Sequence, residues 1–134
     1  MQPLIRFEQV SVSVQGQPLL SQVTFSLYPG QKAVLCAKSG AGKSSVLKTL
    51  LGMHPIQSGE VYFQGQRLSA KSIQAIRACT AYVGQEPVLG AETVREALLL
   101  PFQFKAHRDR RPSEGQLLAV LQRLQLPADL LNRD

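Results

Sequence analysis

A glycine-rich run at residues 37–45, Ala-Lys-Ser-Gly-Ala-Gly-Lys-Ser-Ser, constrains the fold of this chain more than any other feature. The apolar residues 33–36 precede it, and the helix-like residues 46–51 follow it. Glycines let several backbone N–H groups point into one concavity, and a helix that begins there adds the positive end of its dipole. The order of strand, glycine-rich loop and helix therefore predicts a phosphate-binding loop.

Two side chains of this loop have the type and spacing that bind a nucleoside triphosphate. Lys43 can reach the β- and γ-phosphates as a point charge, and the Ser44 hydroxyl can ligate Mg²⁺. Glycine-rich turns without such a role are common, but here the lysine and serine follow the second loop glycine at the required spacing. Alanine replaces the usual first glycine, which is tolerated unless that position needs a positive φ. The predicted phosphate-binding residues are Ala37, Lys38, Ser39, Gly40, Ala41, Gly42, Lys43, Ser44 and Ser45.

The length and composition of the chain indicate one domain at most. Its 134 residues are 44% hydrophobic, which is enough to bury a core. No apolar run reaches the ~18 residues that span a bilayer, and the first residues lack the pattern of a secretory signal. Cys36 and Cys79 do not make a disulfide framework, and Cys36 is predicted as a core residue on an apolar strand. We therefore expect a cytosolic protein.

The basic residues of the last third form one cluster. The chain has a net charge of +6 and a pI near 9.8. No aromatic residues interleave within the cluster, which argues against a base-stacking platform and against nucleic acid as a partner. A solvated linker is the favoured interpretation, and contact with a membrane partner or acidic lipid headgroups is the alternative. The cluster comprises Lys105, His107, Arg108, Arg110 and Arg111, interrupted by Asp109.

Hydrophobic periodicity predicts an antiparallel front part followed by strands of a central sheet. Alternating apolar and polar residues predict half-buried strands at residues 5–14 and 23–27, and a hairpin follows the short strand at residues 60–63. The runs at residues 32–36 and 80–83 are almost wholly apolar, which is typical of strands at the centre of a sheet.

The rest of the chain has helical patterns with recognisable ends. Beyond the helix after the phosphate loop, a short helix is predicted at residues 71–77. Thr93 caps the next helix, with Glu96 predicted to complete a capping box. Ser113 and Gln116 predict the same arrangement for a helix whose apolar face includes several leucines. Residues 128–131 are predicted to add one more turn.

Three segments, in order, resemble the nucleotide-binding subunits of ABC transporters. The first is the phosphate loop, and the second is Pro-Ile-Gln-Ser-Gly-Glu-Val at residues 55–61. The third is Tyr-Val-Gly-Gln-Glu-Pro-Val-Leu at residues 82–89, followed by Thr-Val-Arg-Glu, which is similar to the family's glutamine loop. Residues 93–103 and 121–131 are similar to bacterial iron-export members of this family.

The resemblance implies an α/β fold of the P-loop NTPase class, ABC ATPase type, with an antiparallel β subdomain, an incomplete core sheet and helices. It implies ATP and Mg²⁺ as cofactors, with Gln85 contacting Mg²⁺ and the attacking water beside Ser44. The implied partners are a membrane-spanning transporter subunit and a second nucleotide-binding subunit in a homodimer. The implied location is cytoplasmic, peripheral on the inner face of the cell membrane.

The chain departs from the family pattern in two ways. The position of the adenine-stacking aromatic residue falls near Val12 or Val14, and Tyr28 is the nearest aromatic residue in the sequence. The family's signature sequence, its apolar strand ending in Asp-Glu and its switch histidine are absent from residues 1–134. We therefore expect residues 1–134 to be the N-terminal portion of a single nucleotide-binding domain, without catalytic residues of its own and without turnover in isolation.

Two alternatives come from other functional classes. A soluble P-loop kinase would need an acceptor site and an arginine-bearing lid, which Arg108, Arg110 and Arg111 could imitate. A non-catalytic fragment that oligomerises would hide the edges of an incomplete sheet. Phosphate transfer to a small acceptor would indicate the first, and assembly that persists without nucleotide would indicate the second.

Overall fold

The computed structural model describes residues 1–38, 42–86 and 90–134, which fall into two compact units. The first unit is Met1–Ala81 and the second is Tyr82–Asp134. The predictions for Ser39, Gly40 and Ala41 lie outside the described residues, as does the end of the glutamine-loop motif at residues 87–89. Among the described residues, no helix combines the length and hydrophobicity that crossing a bilayer requires.

The first unit contains an antiparallel sheet of four strands in the order β2-β1-β3-β4. Two-residue turns close its hairpins, and both turn residues have positive φ, as the twist of such hairpins requires. The turns are Gln15-Gly16 (φ 51° and 76°) and Gln64-Gly65 (φ 50° and 79°). The predicted antiparallel front part is confirmed, although β2 begins earlier than residue 23. The strands are β1 (Ile5–Val14), β2 (Gln17–Leu27), β3 (Ser58–Phe63) and β4 (Gln66–Arg67).

A bulge in β1 changes which of its residues face the core. Phe7 pairs with Phe25 and Val10 pairs with Val23, so β1 has one more residue between the pairs than β2 has. Gln9 is the extra residue and has a φ of 46°. Phe7 and Val10 are therefore both fully buried although they lie three apart, because one inserted residue exchanges the two faces of a strand.

Helix α1 (Lys43–Leu50) packs on this sheet through its apolar face. Val46 and Leu50 join a core cluster that contains side chains of β1, β2 and β3. Leu47, the residue after Val46, is 44% exposed. Helix α2 (Ile73–Ala78) supports the other end of α1, since the Arg77 Nε donates to the Leu51 carbonyl at 2.9 Å. A cation there is favourable because it meets the negative end of the helix dipole.

Two predicted central strands are absent from the described residues. Residues 31–38 and 80–84 have no regular secondary structure, and no described strand pairs with either. Val34 is 84% exposed, and Cys36, predicted in the core, is exposed as well. The prediction was wrong here because an apolar pattern specifies a buried strand only when a neighbouring strand bonds its backbone and other elements cover its faces.

The second unit is helical, and its core is built from leucines. Helices α3 (Val94–Leu99) and α4 (Glu114–Arg123) are accompanied by 3₁₀ turns at Leu100–Gln103, Arg108–Arg110 and Ala128–Asn132. Two leucines of α4 and one of the last 3₁₀ turn are almost fully buried. They pack with leucines at the end of α3. The buried leucines are Leu117, Leu121 and Leu131.

The helix caps agree with the sequence patterns except at one bond. The Ser113 hydroxyl accepts from the Gln116 N–H, and the Gln116 side chain accepts from the Ser113 N–H, so this capping box is confirmed. The Thr93 hydroxyl accepts from the Glu96 N–H as predicted. The Glu96 carboxylate, however, accepts from the N–H of Glu92 rather than that of Thr93. The side chain thus reaches one residue further out and still satisfies a backbone donor.

Replacing Gly59 by alanine should destabilise the sheet more than the same change at Gly16. Both glycines have positive φ, which costs alanine about 1–2 kcal/mol. An added Cβ at Gly59 would lie closer than 3.0 Å to the carbonyl oxygens of Glu8 and Gln9, whereas one at Gly16 meets nothing within 4 Å. Overpacking against backbone adds about 1–3 kcal/mol. Urea unfolding of both variants measures the difference, and equal losses would contradict this packing at the bulge.

Acid should abolish the contribution of Glu114 to the stability of the second unit. A hydrogen bond and ion pair from Arg95 hold the pKa of this carboxyl below its usual range. A group whose pKa is lowered by folding stabilises the folded state at pH values above its unfolded pKa. This stabilisation is lost as the pH falls through the folded pKa. Glu114→Gln should therefore lower the Tm at neutral pH, and the difference from wild type should vanish well below about pH 4.

The matched control for this change is Asp109→Asn, because Asp109 is exposed and has no ion pair among the described residues. Its Tm should follow that of wild type at every pH. A Glu114→Gln difference that stays constant into acid would show that the ion pair does not contribute.

Candidate nucleotide-binding site

The start of α1 lies directly against β2, and Gly42 makes this possible. Gly42 is the N-cap of α1 and has a φ of 91°. A Cβ at this position would lie closer than 3.0 Å to the Leu19 carbonyl oxygen and 3.1 Å from the Leu20 Cδ2. The second loop glycine is therefore required for the left-handed backbone and also for the close approach of two elements.

Lys43 connects the two ends of the predicted loop. Its Nζ donates to the Ala37 carbonyl oxygen at 3.0 Å. Lys43 is exposed, and so are Ala37 and Lys38. The ammonium group is thus held beside Ala37 by one hydrogen bond, and it has two further protons to donate to an anion. Sequence reasoning missed this bond, because nothing in the spacing indicates which carbonyl a lysine contacts.

The N-terminus of α1 has no side-chain cap. Gly42 supplies no side-chain acceptor, and the first turn contains no acidic residue. The first N–H groups of a helix lack partners within it and carry the positive end of its dipole. Ser44 is exposed beside them, so its hydroxyl can act together with Lys43. This arrangement can hold an anionic group such as a phosphate.

Ser45, also predicted in the site, is oriented differently from its neighbour. It is buried, and its carbonyl oxygen accepts from the Thr49 hydroxyl at 2.6 Å. Thr49 is fully buried and forms this bond inside α1. Among the described loop residues, exposed Lys43 and Ser44 are therefore the side chains presented to a ligand, while Ser45 is part of the packing of the helix.

A cleft of 390 Å³ lies between residues 33–35, which have no regular secondary structure, and the first turns of α1. Lys43 and Ser44 supply its polar groups, and Leu47 lies on its apolar side. The exposure of Leu47 follows from this position, because no described side chain closes the cleft. The cleft is lined by Ala33, Val34, Leu35, Lys43, Ser44 and Leu47.

A larger cavity of 590 Å³ is unsuited to phosphate. It lies at the strand bulges and contains the carboxylates of Glu8 and Glu60, which would repel an anion. These carboxylates form ion pairs with Arg6 and Arg67, respectively. The hydroxyl of Tyr62 also donates to Glu60, and this hydrogen bond raises the pKa of Tyr62. None of the predicted site residues lines this cavity.

The net positive charge belongs to the unit that contains the phosphate loop. Residues 1–81 contain eight lysines and arginines against two glutamates, a net charge of +6. Residues 82–134 contain seven basic and seven acidic residues and are neutral overall. An excess of one sign raises the local concentration of ligands of the other sign. The first unit is therefore electrostatically suited to a polyanion.

Two other predicted positions stand apart from this arrangement. Gln85 is exposed and belongs to the second unit, so its action beside Ser44 stays a prediction. Of the two positions considered for contact with the base, Val12 is 1% exposed and belongs to the core, whereas Val14 is half-buried at the end of β1. Val14 is thus the one of the two whose side chain can touch a ligand.

Comparison with known proteins relates this site to one family. The ABC transporter family model matches residues 20–133. The probable iron export ATP-binding protein FetA of Escherichia coli (strain K12) is 30% identical over 132 residues, which cover 98% of this chain and 57% of that protein. The probable ABC transporter ATP-binding protein p29 of Mycoplasma pneumoniae is 33% identical over 87 residues, covering 65% of this chain and 36% of that protein.

A solved structure agrees with the fold. The structure of an ATP-binding subunit of an ABC transporter is similar with a TM-score of 0.73 and 29% identity, covering 96% of this chain and 53% of that one. The present chain thus spans about half the length of FetA and of this subunit. Their match confirms the predicted P-loop NTPase class, with the antiparallel sheet and the helices that the described residues form. The chain belongs to the ABC transporter family.

Proposed function

We propose that this chain binds ATP through its phosphate loop as the N-terminal portion of a single ABC-type nucleotide-binding domain, residues 1–134. The observation that carries this proposal is the start of α1, where Lys43 and Ser44 are exposed beside helix N–H groups that no side chain caps. The net charge of +6 on the same unit favours a polyanionic ligand. Membership of the family makes ATP the natural ligand.

Each predicted residue has a role that its chemistry can perform. Lys43 and the loop amides hold the phosphates, and Lys43 keeps its bond to Ala37 as a fixed starting position. The hydroxyl of Ser44 and the amide oxygen of Gln85 are hard oxygen ligands, which fit Mg²⁺. When bound, Mg²⁺ neutralises charge on the phosphates. Gln85, a neutral amide, also orients the attacking water.

The complete assembly is proposed to couple ATP hydrolysis to transport. Phosphoryl transfer to water depends on positioning and charge stabilisation, and the assembly supplies the metal-binding carboxylate and the catalytic base that residues 1–134 lack. The partners are a membrane-spanning subunit and a second nucleotide-binding subunit in a homodimer at the cytoplasmic face of the membrane. Nucleotide drives the membrane subunit between states through differential binding. The 30% identity with FetA favours iron export.

Lys43→Ala should weaken binding of Mg-ATP by about 10- to 100-fold, because it removes a charge-assisted contact of about 1.5–3 kcal/mol. NMR titration with Mg-ATP at millimolar concentration measures this change even where wild-type affinity is low. Lys48→Ala is the control, since Lys48 belongs to the last turn of the same helix. Equal affinity of Lys43→Ala and wild type, or equal losses in both variants, would refute the loop assignment.

The 134-residue chain alone should bind ATP weakly and release no phosphate in steady state. No acidic residue of the chain follows an apolar strand, so a carboxylate for the metal and a catalytic base are both missing. A sensitive phosphate-release assay checks this expectation. Steady release that disappears in Lys43→Ala would contradict it.

The second candidate, a non-catalytic chain that oligomerises, is favoured by one observation. Residues 33–36 are apolar and exposed and have no regular secondary structure, with Val34 84% exposed. Light scattering discriminates between the two functions. Assembly that is unaffected by Mg-ATP, together with the absence of any ATP-induced NMR shift, would favour the second candidate over the first.

A further inference from the structure

The second unit presents a short basic segment at residues 104–111 that the proposed function does not use. Phe104 begins it and is 63% exposed, an unusual position for a large aromatic side chain. Four cationic residues of the segment are also exposed, and His107 is half-buried. The four are Lys105, Arg108, Arg110 and Arg111.

Backbone hydrogen bonds give this segment a repeat of about three residues. The N–H of His107 donates to the Phe104 carbonyl at 3.0 Å, and the N–H of Arg110 donates to the His107 carbonyl at 2.9 Å. Arg111 donates in the same way to Arg108 at 3.4 Å. Residues three apart are neighbours in such turns. Phe104, His107 and Arg110 therefore form one row along the segment.

These turns keep the cations of the segment close to one another. The backbone hydrogen bond given above joins Arg111 to Arg108, and another joins Arg110 to His107. Asp109 is the one acidic residue of the segment against four permanent cations, so the segment has a net charge of +3.

The cations of the segment have no internal counterions. Among the described residues, none of them forms an ion pair, whereas Arg95 pairs with Glu114 and Arg133 pairs with Asp129 in the same unit. Because the second unit is neutral overall, the positive charge of this segment is a local excess. Exposed cations concentrated in one segment attract an anionic surface to that segment, although the unit as a whole has no net charge to attract anions.

We propose that residues 104–111 bind the surface of a bilayer that contains anionic lipids, with Phe104 at the headgroup boundary and the cations on lipid phosphates. A cationic cluster beside one exposed aromatic side chain has the two components of interfacial binding, charge and apolar area. A base-stacking surface requires several aromatic side chains, and the segment has one. This affinity exists without a membrane-spanning subunit and without nucleotide, so it is independent of the proposed function.

The expected strength follows from the number of charges. A lysine or arginine near an anionic leaflet contributes a factor of about five in affinity. Four cations and one aspartate should therefore favour anionic over neutral vesicles by roughly 100-fold at low salt. Salt should reduce this preference, because the charges are exposed and screened.

Vesicle sedimentation with the full chain tests the proposal. The vesicles are phosphatidylcholine alone and an equal mixture of phosphatidylcholine and phosphatidylglycerol. Arg108→Gln/Arg110→Gln should weaken binding to the mixed vesicles about 25-fold. The matched control is Lys32→Gln/Lys71→Gln, which removes the same charge from exposed positions of the more basic first unit. It should change binding by less than about twofold, since those residues lie outside the segment.

Two further variants extend the test. Lys105→Gln/Arg111→Gln removes the other two cations and should give a loss similar to that of the first pair. Phe104→Ser should also weaken binding, and its effect should persist in high salt, because burial of apolar area is not screened. All seven substituted positions are exposed, so circular dichroism should show folded variants.

Three results would overturn the proposal. Equal losses in the segment variants and in the control would show attraction by net charge alone. Equal binding to both kinds of vesicle would show that anionic lipid is not recognised. Absence of binding to either kind would leave an acidic protein surface as the partner of the segment and exclude the bilayer.

Discussion

The packing of α1 on the antiparallel sheet determines where the phosphate loop can present its groups. Val46 and Leu50 are buried against β1, β2 and β3, and burial of such side chains contributes about 1.5–3 kcal/mol each. Gly42 allows the first turn to approach the Leu19 carbonyl. With the helix held at these points, Lys43 is left exposed at its N-terminus, where the helix dipole is positive. The apolar contact of α1 with the sheet thus fixes the position of the helix start at which Lys43 lies.

The two units differ in the way they distribute charge. The first concentrates basic residues around a neutral sheet, whose two glutamates both form ion pairs with arginines. The second has equal numbers of acidic and basic residues, but they are unevenly distributed. Arg95 pairs with Glu114, whereas the cations of the basic segment form no ion pair among the described residues. Net charge therefore indicates the ligand of the first unit, and local arrangement indicates that of the second.

Local patterns predicted those features whose causes are local. The hairpin turns and the cap at Ser113 depend on neighbours in sequence, and they appear as expected. The central strand at residues 32–36 required long-range partners that the described residues do not supply. The bond from Lys43 to Ala37 could not be predicted from the sequence, because a flexible side chain has many acceptors within reach. In β1, Phe7 and Val10 are three residues apart whereas Val10 and Val12 are two apart, and this irregular spacing indicates the bulge.

The exposure of residues 31–38, which have no regular secondary structure, has a consequence for the integrity of the chain. Proteases bind substrate backbone in extended form, and exposed segments without secondary structure are where cleavage concentrates. Lys32 and Lys38 are both exposed at the ends of this segment, so each offers a trypsin-like enzyme a cleavable bond. A single cut there would separate the β1–β2 hairpin from α1 covalently, and side-chain contacts alone would then hold the phosphate loop to its support.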